Sequence, residues 1–259
     1  MDLGLSGKKA IVCASSKGLG RGCAEALAAE GCKVIINGRT QDILEATARE
    51  ISAATGAEVI AVAADVGTKE GQAKLLEACP DPDILVNNNG GPPRRSYKEL
   101  DREAMIDGVL QNMVTPIELI QAVIDGMTER EFGRIVNITS LSVKMPIEGL
   151  DLSSGARAGL TGFMAGVCRT FAHHNITMNN LLPGKMDTDR LRGGIKGAAA
   201  ARGIDYEVAA QAQRDEIPAK RFGNAEEFGK TCAFLCSSHA GYITGQNVLI
   251  DGGLFNGAF

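Results

Sequence analysis

Near the start of the chain stands a run that could do chemistry: Ser15, Ser16, Lys17, Gly18, Leu19, Gly20, Arg21 and Gly22. It follows a short apolar segment (10–14, AIVCA) and leads into an Ala-rich one (21–30, RGCAEALAAE). Glycines between a strand and a helix let the backbone approach a pyrophosphate, and the N–H groups and positive dipole end of the helix favour its charge. The strand-before, helix-after context raises this run above an ordinary βα turn, which the same glycines would also fit. A second cationic group, Arg94 and Arg95, follows Gly91, Pro92 and Pro93. Paired guanidinium groups at a cleft edge could take a substrate carboxylate or phosphate, or simply form a solvated face. Cysteine chemistry is a poor prospect. Cys13, Cys23, Cys32, Cys79, Cys168, Cys232 and Cys236 are odd in number and contain no C-x-x-C pair, so they read as small buried apolar residues rather than a disulfide frame or a zinc site.

Such a turn needs alternating strands and helices to hold it. Strand-length apolar segments recur at 10–14, 34–36, 58–63, 84–86, 134–138, 176–182 and 247–250. Helical patterns lie at 21–30, 42–51, 102–127, 158–172 and 224–236. Repeated β-then-α units imply a parallel sheet covered by helices on both faces, and short, wholly apolar strands fit such burial. The expected class is α/β: a single Rossmann-type, doubly wound domain over 1–259, with a seven-stranded parallel sheet flanked by helices. Only 185–218, rich in Gly and Ala, breaks the rhythm, as a substrate-binding lid or a surface helix pair.

Composition narrows the classes. The 259 residues are 44% hydrophobic, which excludes wholesale disorder. A net charge of −4 argues against nucleic acid as a partner. No apolar run reaches the ~18 residues of a membrane span. The first ten residues lack the layout of a secretory signal, so a cytoplasmic protein is expected.

The ordered motifs resemble the short-chain dehydrogenase/reductase family over essentially the whole chain. The family's TGxxxGxG turn appears as Cys13, Ala14, Ser15, Ser16, Lys17, Gly18, Leu19 and Gly20. Ala14 replaces the first glycine; it is tolerable there if its φ is negative, and it narrows the approach to the cofactor. Asp65 and Val66 resemble the family's adenine-contacting pair. Asn87, Asn88, Asn89 and Gly90 are similar to its NNAG, with Asn89 in place of alanine. Pro183, Gly184 and Thr188 match PGxxxT, whose threonine caps the nicotinamide carboxamide, and Tyr242–Gly245 and Asp251–Gly253 match its C-terminal signature. The resemblance also implies a homotetramer, with 102–127 and 158–172 at one interface and the C-terminal segment, with Phe255 and Phe259, at another.

An NAD site usually carries an acid at the end of the second strand, where it takes the ribose hydroxyls. Here Gly38 holds that place and Arg39 follows. A 2′-phosphate favours such a cation, with Lys17 as a second, so NADP(H) is expected rather than NAD(H).

The family's catalytic set is Asn, Ser, Tyr and Lys. Asn112 and Ser140 match the first two. Tyr is expected thirteen positions beyond the serine and Lys four beyond that, where the chain has Ser153 and Arg157. A phenol can be tuned down from a pKa near 10 by a neighbouring cation, whereas an aliphatic hydroxyl is far less acidic. Arg157 can hold ribose hydroxyls but does not titrate usefully. For the proton donor three candidates stand: Lys144, Tyr97 and a water relayed from Asn112; His173 and His174 read as helix-end residues. The implied activity is an NADP(H)-dependent oxidoreductase on a small-molecule carbonyl or alcohol, near the 3-oxoacyl-carrier-protein reductase branch, with a non-standard proton donor. The alternative is a catalytically impaired NADP(H)-binding sensor or structural protein.

Overall fold

The seven apolar segments become strands β1 (Lys9–Val12), β2 (Lys33–Gly38), β3 (Val59–Ala63), β4 (Ile84–Asn87), β5 (Gly133–Ile138), β6 (Ile176–Pro183) and β7 (Asn247–Ile250) in a computed structural model, which describes residues 1–258. They pair in parallel in the order β3-β2-β1-β4-β5-β6-β7. The chain therefore reverses its direction of growth between β1 and β4, and the carboxyl ends of those two strands flank the crevice where doubly wound folds bind ligands.

The helices are α1 (Gly18–Ala29), α2 (Gln41–Thr55), α3 (Lys69–Ala78), α4 (Arg102–Val109), α5 (Thr115–Glu129), α6 (Asp151–Phe171), α7 (Asp189–Arg202), α8 (Tyr206–Asp215) and α9 (Ala225–Cys236). Two apolar layers, one on each sheet face, hold the sandwich together. One packs α1, α2 and α9 on alternate strand residues such as Val12, Ile36 and Val86; the other packs α5 and α6 on Ile11, Ile35 and Leu85. The two-residue alternation along each strand produces this division. All seven cysteines are free and buried within these layers, and burial pushes the Cys13 thiol up to about 12. No described helix is long and apolar enough to cross a membrane.

Several boundaries differ from the sequence expectation. α1 begins at Gly18 rather than at 21, so the turn's glycines already belong to its first helical turn. α6 begins at Asp151 rather than 158, placing Ser153 and Arg157 one turn apart on a single buried face. The expected single helix over 102–127 is instead α4, a π-helical stretch at Leu110–Val114, and α5. That wide turn contains Asn112, and π-bulges of this kind concentrate at functional sites. α3 had no clear sequence signal: its mean hydropathy is low and only Gly71, Gln72 and Leu75 are buried. Segment 185–218 is not irregular. It is the helix pair α7–α8, with its own small core of Ile195, Ala199, Ala209 and Ala210.

Candidate active site

The glycine turn is drawn tight by buried polar groups. Ser15 Oγ donates to Val12 O (2.7 Å) and accepts from Asn37 N (3.0 Å), while Ser15 N donates to Asn37 O (2.7 Å). Asn37 Nδ2 donates to Val62 O and Ala64 O, at 3.1 and 3.0 Å, and its Oδ1 accepts from Ala14 N at 3.3 Å. One buried asparagine thus ties the ends of β1, β2 and β3 together. Ala14 adopts φ +44°, not the negative φ expected of a non-glycine residue. The crowded neighbours impose this: Asn37 Oδ1 holds its N–H, and Asn88 Nδ2 holds its carbonyl at 3.1 Å. A Cβ at Gly20 would stand 2.4 Å from that same carbonyl and 2.8 Å from Asn88 Nδ2, so the turn tolerates only glycine there.

A cleft of ≈570 Å³ opens beside the turn, lined by Ala14, Ser16, Lys17, Asn37, Gly38, Arg39, Ala64, Asp65, Val66, Asn89, Gly90 and, further along, Gly91–Pro93, Gln111 and Asn112. Its dimensions, glycine cradle and free helix N-terminus fit a dinucleotide. Of the expected cofactor residues, Ala14, Ser16, Lys17, Arg39, Asp65, Val66 and Gly90 line this cleft, whereas Gly18, Leu19, Gly20, Asn88, Arg157, Pro183, Gly184 and Thr188 do not. At one end, a Cβ on Gly38 would lie 3.2 Å from Ser16 Oγ, so any side chain there must displace that hydroxyl. Arg39 is exposed there, with no side-chain hydrogen bond or ion pair among the described residues. Lys17 Nζ is 3.7 Å from Asp189 at the start of α7. Leu19 packs on the apolar layer behind the turn rather than on the cleft. Pro183 closes β6, Gly184 N donates to Ile250 O (2.9 Å), and a Cβ on Gly184 would stand 2.6 Å from Asp251 Cβ. Thr188 caps α7, its Oγ1 accepting from Leu191 N (3.5 Å).

At the other end the cleft shares Asn89, Gln111 and Asn112 with a small chamber of ≈20 Å³, enough for one water. Among the described residues, three buried oxygens of that chamber have no protein partner: Asn87 Oδ1, Asn112 Oδ1 and Thr115 Oγ1. Asn112 Nδ2 donates to Gly108 O (3.2 Å). Asn89, standing where the resemblance leads one to expect alanine, donates through Nδ2 to Gln111 Oε1 (2.6 Å), bracing the loop after β4 against the π-helical stretch. Behind the chamber an asparagine ladder crosses four strands. Asn87 Nδ2 donates to Asn137 Oδ1, Asn137 Nδ2 to Asn180 Oδ1, and Asn180 Nδ2 to Asn247 Oδ1, at 2.9, 3.0 and 2.8 Å.

Arg157 also lines this chamber. It is 8% exposed and donates from Nη1 to Ile138 O (2.6 Å) and from Nε to Ser153 Oγ (3.2 Å). Burial, and secondarily Arg190, push its pKa down to about 10. It is therefore still charged at neutral pH. Ser140, at the end of β5, accepts from Ser142 N (3.1 Å). Since Ser140 and Ser153 both accept from protein donors, each keeps its own O–H to donate. Lys144 Nζ lies 5.6 Å from the centroid of the Phe255 ring, a cation–π contact. Tyr97 is exposed on a short 3₁₀ turn, and the rings of His173 and His174 meet at a tilt of 43° past the end of α6.

Sequence reasoning missed Asn37, Gln111 and Arg190. Arg190 Nη1 and Nη2 donate to Gly91 O (3.3 Å) and Pro92 O (3.0 Å), joining α7 to the loop after β4. Its place two residues past Thr188 was the available signal.

The family model described as Enoyl-(Acyl carrier protein) reductase matches residues 13–255. The NADPH-dependent reductase BacG of Bacillus subtilis is 33% identical over 254 residues, covering 96% of this chain and 98% of that protein. The 3-oxoacyl-[acyl-carrier-protein] reductase FabG of Escherichia coli is 31% identical, covering 98% and 99%. Among solved structures, L-sorbose reductase from Gluconobacter frateurii, complexed with NADPH and L-sorbose, superposes with a TM-score of 0.93 at 30% identity, covering 98% of each chain. A parallel seven-stranded sheet with its cleft at the β1/β4 switch point, matched along nearly its whole length by these proteins, makes the chain a member of the short-chain dehydrogenase/reductase family.

Proposed function

We propose that this protein is an NADP(H)-dependent reductase of a small carbonyl compound, or dehydrogenase of the alcohol, whose proton donor is not the family's tyrosine. The cleft running unbroken from Arg39 to Asn112 carries this reading. The relatives' NADPH-dependence and NADPH complexes support it. Bound there, the cofactor supplies or accepts the hydride. The chain's own residues do the rest. Backbone N–H groups from Ser16 to Gly20 hold the pyrophosphate, Arg39 and Lys17 take the 2′-phosphate, and Asp65 and Val66 bound the adenine. Asn88 and Gly90 shape the wall opposite the turn, Pro183, Gly184 and Thr188 seat the nicotinamide, and Arg157 holds its ribose. Ser140 and Ser153 direct their O–H groups to the carbonyl oxygen, and Lys144 delivers the proton that neither hydroxyl is acidic enough to give.

Calorimetric titration with NADPH and NADH tests the cofactor. NADPH is expected to bind more tightly, and Arg39→Ala to weaken NADPH by ~10–100-fold, the worth of one charge-assisted hydrogen bond, with NADH unchanged. Tighter binding of NADH overturns the assignment.

One observation favours a second reading, an NADP(H)-binding protein without turnover: the residues at the family's Tyr and Lys positions are Ser153 and Arg157. NADPH oxidation over a panel of carbonyl, imine and quinone compounds separates the two, since a silent protein oxidises none.

We also propose assembly as a homotetramer. Exposed Ile106, Val109 and Leu110, on α4 and the π-helical stretch, and Phe163 on α6 supply the apolar area an interface needs. A monomeric mass in solution would refute it.

A further inference from the structure

The substrate end of the cleft holds more positive charge than the proposed reaction requires. Two buried arginines make the point by contrast. Arg134 is 1% exposed, and every guanidinium nitrogen is used: Nε donates to Ser237 O, Nη1 to Gly133 O and Asn175 O, and Nη2 to Asn175 Oδ1. Arg157, buried almost as deeply, leaves Nη2 without a protein acceptor among the described residues. Among the described residues no carboxylate pairs with it. Nor, among those residues, does one pair with Arg190 or Arg94, although Arg192, two residues beyond Arg190, engages both Asp187 and Asp189.

These cations also act on one another. Arg190 adds to the burial cost in lowering Arg157, and Arg94 does the same to Arg190. Arg190 is anchored to the carbonyls of Gly91 and Pro92, which line the cleft, and Arg94 follows in the same loop. Arg157 is buried while Arg190 and Arg94 are exposed, so a bound anion would meet two solvent-facing guanidinium groups that have no carboxylate partner among the described residues.

We propose that the substrate carries a carboxylate beside its carbonyl group, and that Arg190, held on the carbonyls of Gly91 and Pro92, and Arg94 in the same loop form the subsite that takes it. This rests on the reductase reading. The subsite selects among carbonyl compounds by charge: an acid is accepted, and its neutral ester leaves the guanidinium groups unpaired. Arg190 and Arg94 are specificity determinants, reading the substrate from α7 on one side and the loop after β4 on the other.

The test uses whole protein loaded with NADP+, so that no turnover intervenes, titrated calorimetrically with three 2-oxo acids of increasing size and their methyl esters. The expected result is at least one acid bound ten-fold or more tightly than its ester. That preference should fall to three-fold or less in Arg190→Gln and in Arg94→Gln, and should weaken with added salt. NADP+ affinity, measured first, should be unchanged in both variants. Failure of NADP+ to bind would instead remove the reductase reading. With NADP+ bound, the subsite is overturned if every acid binds no more tightly than its ester, detectably or not. It is also overturned if Arg190→Gln weakens NADP+ ten-fold and leaves the acid preference intact, since Arg190 would then serve the cofactor's pyrophosphate. The two variants keep the test open should one of them fold poorly.

Discussion

The two ends of the cleft are built on different principles. At the adenine end the backbone does the work: a glycine turn, a strained Ala14, and buried Asn37 fastening three strand ends. Side chains there are few, and Arg39 stands free to meet a phosphate. At the substrate end, side chains carry the burden. Asn112 on the π-helical stretch, Ser140 just past β5, and Ser153 and Arg157 on α6 stand near an asparagine ladder that locks β4 to β7 in register. Backbone geometry admits few substitutes, so the first end is tightly specified. Side chains can be exchanged on a fixed frame, so the second end can change its chemistry without changing the fold.

One cost at this end is visible in Arg157. Its pKa is about 10 in the folded protein, against an ordinary 12.5, because burial disfavours the charged form. A cation depressed on folding opposes folding at neutral pH, and stability recovers only as pH rises through the interval between those values. The substrate end is therefore held in a conformation that costs stability, as functional sites often are.

Putting the family's pair back is the largest expected change. In Ser153→Tyr with Arg157→Lys, a titratable phenol beside a lysine replaces a hydroxyl beside a fixed charge. General acid catalysis contributes about 10²–10⁴-fold, and kcat for a neutral ketone should rise by at least about 10²-fold. Steady-state NADPH oxidation across pH measures this, and a new pH limb should appear in the double variant. Lys144→Ala should lower turnover in the native background and matter little in the double variant. If Lys144→Ala leaves native turnover intact, lysine is not the donor. If the double variant gains nothing, the substrate end has diverged beyond these two positions.

Much of this division was legible beforehand, for a physical reason. Strand composition and the order of the motifs reveal the sheet, because burial on both faces demands uninterrupted apolar residues. All seven strands lie where apolar runs place them. Features decided by contacts distant in sequence were not legible. Asn37 sits in an apolar strand and looks like a polar interruption until Ala14, Val62 and Ala64 close around it. Arg190 looks like one more surface cation on a Gly/Ala-rich segment until the loop at Gly91 meets it. The π-helical stretch hides in a continuous helical period, since one extra residue in a turn barely disturbs the apolar spacing. α3 carries too few buried residues to declare its face.

The smallest effect concerns the end where backbone rules. Ala14 at φ +44° pays the steric penalty of the left-handed region, about 1–2 kcal/mol, and persists because Asn37 and Asn88 grip both its N–H and its carbonyl. Ala14→Gly relieves that strain, but it also frees the unfolded chain, which takes back about 0.4–1 kcal/mol. The net gain should be roughly 0.5 kcal/mol, a rise in melting temperature of about 1–2 °C. NADPH affinity should improve by no more than about three-fold, as expected from an interaction of under 1 kcal/mol, because the conformation of the turn is already imposed by its neighbours. A fall in melting temperature would mean that Ala14 is relaxed where it stands. A gain in affinity of ten-fold or more would mean that its methyl group obstructs the cofactor, and the adenine end would then owe its fit to a side chain after all.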